Sequence, residues 1–216
     1  MAAYNEGAVI EAKVRNALAL DYPAERLEIV IASDGSSDGT AEIVHRSAQN
    51  EGRGRVRLIA YPTNRGKIAT LNDTVRQVTG EIIVFSDASS MLARDSIRQL
   101  IANFADPRVG AASGIYRVLN RDQSQLGYQE DFYWKYETFL KLQEAKLGCV
   151  LGAHGSMFAI RKDLYPFPSA QVIRTSVSLS CEISRGSIAC LRAVSTVAML
   201  TARRSLRLRP PRRRPP

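Results

Sequence analysis

The 216-residue sequence predicts an α/β fold: an open, mostly parallel sheet flanked by helices. Three observations carry that expectation. Short β-branched runs alternate with stretches of helical period from Met1 to about Tyr165, the strand segments are nearly all apolar, and two of them end in an aspartate. Apolar runs without polar alternation are expected where helices cover both faces of a parallel sheet.

The elements follow in order. A helix is predicted over Ala8 to Ala19, then a strand from Leu27 to Ser33, and a helix over Thr40 to Asn50 after its Asp-Gly-Thr start. Val56 to Tyr61 reads as a strand, Ile68 to Val78 as a helix, Glu81 to Ser86 as a strand and Asp95 to Phe104 as a helix. Val109 to Ile115 is a further strand. Gln125 to Leu147 has no proline and reads as a long helix rich in aromatic residues, among them Tyr128, Phe132, Trp134 and Tyr136. Gly148, Gly152 and Gly155 then turn the chain into an apolar strand, Ser156 to Ile160.

The charge is unevenly placed. Residues 1–173 hold 20 Lys and Arg against 20 Asp and Glu, whereas 174–216 hold ten Arg against the single acid Glu182. The net charge of +9 is therefore a property of the tail, which argues against a nucleic-acid face on the body. Cys149, Cys181 and Cys190 suit neither a disulfide framework nor a metal knuckle, so a reducing compartment is expected. No apolar run is long enough to cross a bilayer, because Arg192 interrupts Ile188 to Leu200.

Chemistry concentrates at the strand ends. In Ser33-Asp-Gly-Ser-Ser-Asp-Gly-Thr40, Asp34 stands at the carboxyl end of a buried strand, where open α/β sheets bind ligands. Gly35 and Gly39 allow tight turns, and Ser37 or Asp38 can cap the helix that follows. A plain Asp-Gly turn with a helix cap is the alternative reading. Asp87 ends the strand Ile82 to Ser86 in the same way, and two such acids make a crevice suited to a nucleotide and a hard divalent cation. Between them Asn64-Arg-Gly-Lys67 places a flexible glycine and a lysine at a helix start, where anionic groups are favoured; a solvated lysine is the simpler alternative.

Ala3-Tyr-Asn-Glu6, SDGSSDGT, Asn64-Arg-Gly-Lys67, Phe85-Ser-Asp-Ala-Ser89, Tyr133-Trp-Lys-Tyr-Glu137 and Gly155-Ser-Met-Phe-Ala-Ile-Arg161 come in the order seen in glycosyltransferase family 2. Residues 2 to 168 resemble that family. The resemblance implies a GT-A fold and inverting transfer from a nucleotide-diphospho-sugar, a UDP-sugar, to a saccharide or lipid-linked acceptor such as a growing polysaccharide. It implies that Tyr4, Glu6 and Gly35 line the nucleotide site and that Asp34 binds uracil or ribose. It places Lys67 near the base or diphosphate and makes Asp87 the ligand of the sugar and of Mg²⁺ or Mn²⁺. Trp134 and Glu137 would border the acceptor. Cytoplasm, or the cytoplasmic face of an inner membrane, is the implied location, and an intact parent would carry membrane helices.

The sequence departs from the family in three ways. Most of the first strand is missing, which would leave the GT-A sheet incomplete. The metal motif Asp87-Ala-Ser89 has one carboxylate. The acidic pair that supplies the family's base is replaced after Ile173 by Arg-Thr-Ser-Val, so no catalytic base is identifiable. Residues 1–168 are therefore expected to form the glycosyltransferase domain and 169–216 an Arg/Ser/Pro-rich tail, largely disordered from Arg174 onward. A non-catalytic nucleotide-binding remnant with a basic tail is the rival reading. A sugar nucleotidyltransferase is disfavoured, because no Gly-rich triphosphate loop follows the first strand.

The tail holds ten Arg and seven Ser but no Lys, Asp, Asn or aromatic residue, a composition that points to translation in a shifted frame. Codons for Cys190 to Ser195 can be chosen so that a one-base shift reads Ala-Tyr-Glu-Pro-Ser, whereas an acidic pair at Arg174 needs the other shift. Sequencing the coding DNA in all three frames from about codon 165 is expected to recover the acidic pair. An open frame through codon 216, with matching tails in related chains, would refute this and favour a genuine basic arm that contacts anionic lipid or nucleic acid.

Overall fold

A computed structural model describes residues 1–52, 54–114, 157–168, 190–193 and 199–201. The elements are β1 (Ala2–Ala3), α1 (Ile10–Leu18), β2 (Ile29–Asp34), α2 (Thr40–Asn50), β3 (Val56–Tyr61), α3 (Lys67–Gln77) and β4 (Ile82–Ser86). They continue with β5 (Ser90–Leu92), α4 (Ser96–Ala102), β6 (Val109–Ser113), β7 (Met157–Arg161), β8 (Cys190–Ala193) and β9 (Met199–Thr201).

Strands and helices fall where the pattern of apolar runs places them, within two residues at most ends. Among the described residues they form a three-stranded sheet ordered β1-β2-β3, a four-stranded sheet ordered β4-β7-β6-β8, and a β5-β9 pair. The first sheet is wholly parallel, with Ala2 opposite Ala32 and Ile29 opposite Val56. The second is mixed: β7 enters antiparallel between β4 and β6, and β8 runs parallel to β6.

The helical period explains how α1 docks. Ile10, Lys13, Val14 and Ala17 are its buried residues, the i, i+3, i+4, i+7 stripe of an amphipathic helix. Ile10, Val14 and Ala17 join Ile31, Val44, Leu100, Val109 and Met157 in one apolar core that takes residues from both larger sheets. A second, smaller core lies toward α3. There Phe85 stacks on Phe158 with ring centroids 4.6 Å apart and on Tyr165 at 5.6 Å. The Tyr165 hydroxyl donates to Asn72 Oδ1 at 2.9 Å, and burial pushes its pKa up. Arg161 fastens the end of β7 by donating to the carbonyls of Val109 and Phe104, each at 2.9 Å.

No strand of the β1-β2-β3 sheet pairs with the β4-β7-β6-β8 sheet among the described residues. Between them lies a largely apolar cavity of about 510 Å³, lined by residues including Ala17, Leu20, Ile29, Val75, Ile83 and Phe85. The Met1 amine reaches this cavity and donates to the Val30 carbonyl at 2.6 Å; burial, reinforced by the Lys13 charge, pushes its pKa down to about 5.

Two features correct the sequence-based expectations. β5 was not anticipated, and two segments of the tail are strands rather than disordered chain, β8 on β6 and β9 on β5. Composition counts charges over the whole tail, whereas the apolar tract from Ile188 to Leu200 holds all of β8 and most of β9. The predicted helix Gln125 to Leu147 lies outside the described residues.

Phe158 of β7 pairs with Phe85 of β4 in the antiparallel ladder and stacks on its ring, at 5% exposure. Phe158→Ala is expected to cost about 3–5 kcal/mol of stability, read as a lower urea midpoint at unchanged slope.

Candidate functional site

The loops at the carboxyl ends of β1, β2 and β4 and the start of α3 converge on one edge. The first two loops are laced together. Asn5 adopts a left-handed backbone, φ 53°, a conformation that asparagine tolerates better than most residues. Its side-chain oxygen accepts from the Ser37 amide at 2.9 Å, and its own amide donates to Ser36 Oγ at 3.1 Å. The next two amides continue the seam, Glu6 to Thr40 Oγ1 at 2.9 Å and Gly7 to Asp38 Oδ2 at 2.8 Å.

Asp38 also accepts from the Thr40 amide at 3.1 Å and so caps α2 in place of Gly39, which has no side chain to do so. The Thr40 hydroxyl and then the Gly7 amide hold the Asp38 carboxyl below its ordinary pKa.

Asp34, expected to bind uracil or ribose, stands at the carboxyl end of β2. It is 2% exposed, and its two carboxylate oxygens accept from the Arg65 amide at 3.1 Å and the Gly66 amide at 2.9 Å. Both oxygens therefore help to organise the loop before α3. Gly35 makes this possible: φ is 66°, and a Cβ there would stand 2.4 Å from backbone atoms of Thr63 and Asn64. Arg65 itself turns away, lying 3.9 Å above the Tyr61 ring and pairing with Asp73 at 2.6 Å.

The clasp delivers Lys67 to the crevice. Its Nζ meets Asp87 Oδ1 at 2.6 Å, with the lysine side chain 58% and the aspartate 35% exposed. Tyr4, half exposed, stands on the first of the laced loops, and Glu6 starts α1 through its carbonyl, which accepts from the Val9 and Ile10 amides. The structure thus brings Tyr4, Glu6, Gly35, Lys67 and Asp87 to one edge. Trp134, Glu137 and the region after Ile173 lie outside the described residues.

Sequence reasoning missed Asn5 and Lys13. Lys13 is fully buried, donating to Ser86 Oγ at 2.7 Å and to the Ser90 carbonyl. Its signal was present, since it lies on the same stripe as Ile10, Val14 and Ala17. Burial pushes its pKa down to about 8, opposed by the Asp87 charge. Among the described residues no group of three or more His, Cys, Asp or Glu side chains is placed to hold a metal. Asp87, 35% exposed, offers a carboxylate that suits a hard cation whose other ligands are phosphate oxygens and water. No helix among the described residues is long and apolar enough to cross a membrane.

Comparison with known proteins gives a consistent picture. The sequence profile of Glycosyl transferase family 2 matches residues 1–166. Poly-beta-1,6-N-acetyl-D-glucosamine synthase of Staphylococcus aureus (strain COL) is 38% identical over 122 residues, 56% of this chain and 28% of that protein. The aligned region is thus less than a third of that relative's length. Among solved structures, the mannosyltransferase PcManGT of Pyrobaculum calidifontis, in complex with GDP-Man and Mn²⁺, has a TM-score of 0.75 at 28% identity, covering 95% of this chain and 56% of that one. TarS 1-349 of S. aureus in complex with UDP-GlcNAc has a TM-score of 0.67 at 14% identity, covering 94% and 58%. These neighbours share the GT-A fold expected from the motifs.

Lys13 makes stability depend on pH. Its pKa falls from 10.5 in the unfolded chain to about 8 in the fold, so between those values the unfolded chain binds more protons and stability rises with pH. At about 1.4 kcal/mol per unit, the unfolding free energy is expected to gain about 3 kcal/mol across that window. Urea titrations from pH 7 to 11 check this, the gain being the difference between the unaltered chain and Lys13→Met.

Proposed function

Because the chain belongs to Glycosyl transferase family 2, we propose that the edge formed by Tyr4, Glu6, Gly35, Lys67 and Asp87 binds a nucleotide-diphospho-sugar for inverting transfer. The observation that carries this is the Lys67–Asp87 pair at 2.6 Å, an ammonium and a carboxylate held open at the meeting point of α3 and β4. The ammonium and the positive end of α3 suit a diphosphate, and the carboxylate suits a cation and sugar hydroxyls. On donor binding Lys67 exchanges Asp87 for diphosphate oxygens. Mg²⁺ or Mn²⁺, held by Asp87 and the diphosphate, would neutralise charge on the departing nucleotide.

A UDP-sugar is the proposed donor. This is supported by likeness to a synthase of poly-N-acetylglucosamine and to a structure holding UDP-GlcNAc, while another neighbour holds GDP-Man. Tyr4, with half of its surface exposed, offers a ring for the base to stack on. Asp34 serves as the support of the Lys67 loop. The acceptor is a saccharide or lipid-linked saccharide, bordered by Trp134 and Glu137, and the site of action is the cytoplasm or the cytoplasmic face of the membrane.

Inverting transfer also needs a base at the attacking hydroxyl, worth about 10² to 10⁴-fold. Ile173-Arg-Thr-Ser-Val177 contains no acid, so this chain binds donor but turns it over slowly. Calorimetric titration with UDP is expected to show binding that Mn²⁺ strengthens. Asp87→Asn is expected to remove at least about ten-fold of that strengthening while leaving metal-free UDP binding within two-fold. Absence of UDP binding in the presence of Mn²⁺ would overturn the reading, and rapid release of labelled sugar from UDP-GlcNAc would overturn the claim of slow turnover.

A further inference from the structure

Lys13 sits 73 residues upstream of the turn it touches, on a helix that contributes no residue to the proposed donor site. Its ammonium is fully buried and, among the described residues, meets no carboxylate within ion-pair distance. Burying an ammonium costs several kcal/mol, and an apolar residue would complete the stripe of α1 without that cost. The position therefore calls for a reason other than packing.

The contacts supply one. Asp87 lies in the short connection from β4 to β5, flanked by Ser86 Oγ on one side and the Ser90 carbonyl on the other, and Lys13 Nζ donates to both. One turn of helix further on, Asn16 Nδ2 donates to the Leu92 carbonyl and its Oδ1 accepts from the Leu92 amide, each at 2.8 Å. Two residues of α1 thus grip the segment on which Asp87 is carried, and nothing else on that helix is bonded to it among the described residues.

We infer that Lys13 is the positioning residue for Asp87: it closes both ends of the turn and sets a fixed positive charge beneath the point where carboxylate, cation and diphosphate converge. The inference rests on the donor-site reading above. Groups that orient a metal ligand without touching the metal typically govern about ten- to hundred-fold of its affinity. Lys13 is therefore expected to control the metal-dependent part of nucleotide binding and to leave base recognition, on the other side of the crevice, unaffected.

The test measures the UDP dissociation constant of the full chain with Mn²⁺ and with chelator, and takes the ratio of the two. In Lys13→Met, which keeps the stem but removes charge and donors, the ratio is expected to fall about ten-fold or more while the chelator value stays within two-fold. Ser86→Ala, which removes one acceptor and leaves the lysine, is expected to lower the ratio about three-fold, and it decides the matter if Lys13→Met proves unfolded by circular dichroism. An unchanged ratio in either folded variant overturns the inference while the donor-site reading stands. A parallel loss of both affinities also overturns it, since that is the mark of a general structural role. If the unaltered chain binds no UDP at all, the donor-site reading fails and the inference falls with it.

Discussion

The place of Lys67 at the candidate site depends on one buried carboxylate accepting two consecutive backbone amides. Asp34 closes β2 and holds Arg65 and Gly66, so the residue that follows, Lys67, leaves the clasp at a fixed place and opens α3 there. The ion pair that Lys67 then makes with Asp87 is half solvated, and such pairs contribute about 1 kcal/mol or less to stability. It cannot be what sets the geometry. The two hydrogen bonds are part-buried and made to a carboxylate, and an unsatisfied Asp34 at 2% exposure would be far more costly than a broken surface pair.

The contrast between Asp34 and Asp87 shows how far the sequence could be read. Both follow a serine at the end of an apolar strand, and the motifs alone give both to the ligand. What separates them is the next residue and its neighbours. Gly35, at φ 66°, lets the chain pass close against the Thr63 and Asn64 backbone beside the buried Asp34, whereas Asp87 is 35% exposed. That difference is made by a loop some thirty residues away, and no local pattern encodes it. Lys13 is a similar case. Its place on the buried stripe of α1 was legible from spacing alone, but its partners at Ser86 and Ser90 are set by packing across the core.

The fold itself was more legible than the site because strand and helix periods are local properties. β2, β3 and β4 are short, apolar and bounded by turn residues, and each helix presents one buried stripe. The two tail strands were missed for the opposite reason. Arginine content and missing acids describe a solvated chain, yet a strand needs only a few residues of suitable backbone and an edge to join. β6 and β5 provide those edges. The fate of Cys190–Ala193 was written in the sheet, not in the tail's own composition.

Among the described residues the two larger sheets meet without a shared ladder, along the apolar cavity that separates β2 from β4. Backbone hydrogen bonds make a sheet open as a unit, so across this seam the described strands are coupled through the side chains of α1 and its core neighbours. Tyr4 and Lys67 stand with the first sheet, Asp87 with the second. A nucleotide sugar spanning them would be a strut across that seam, and its binding energy would appear partly as mechanical stiffness: amide protons on both sides would become slower to exchange, including many that the ligand never touches.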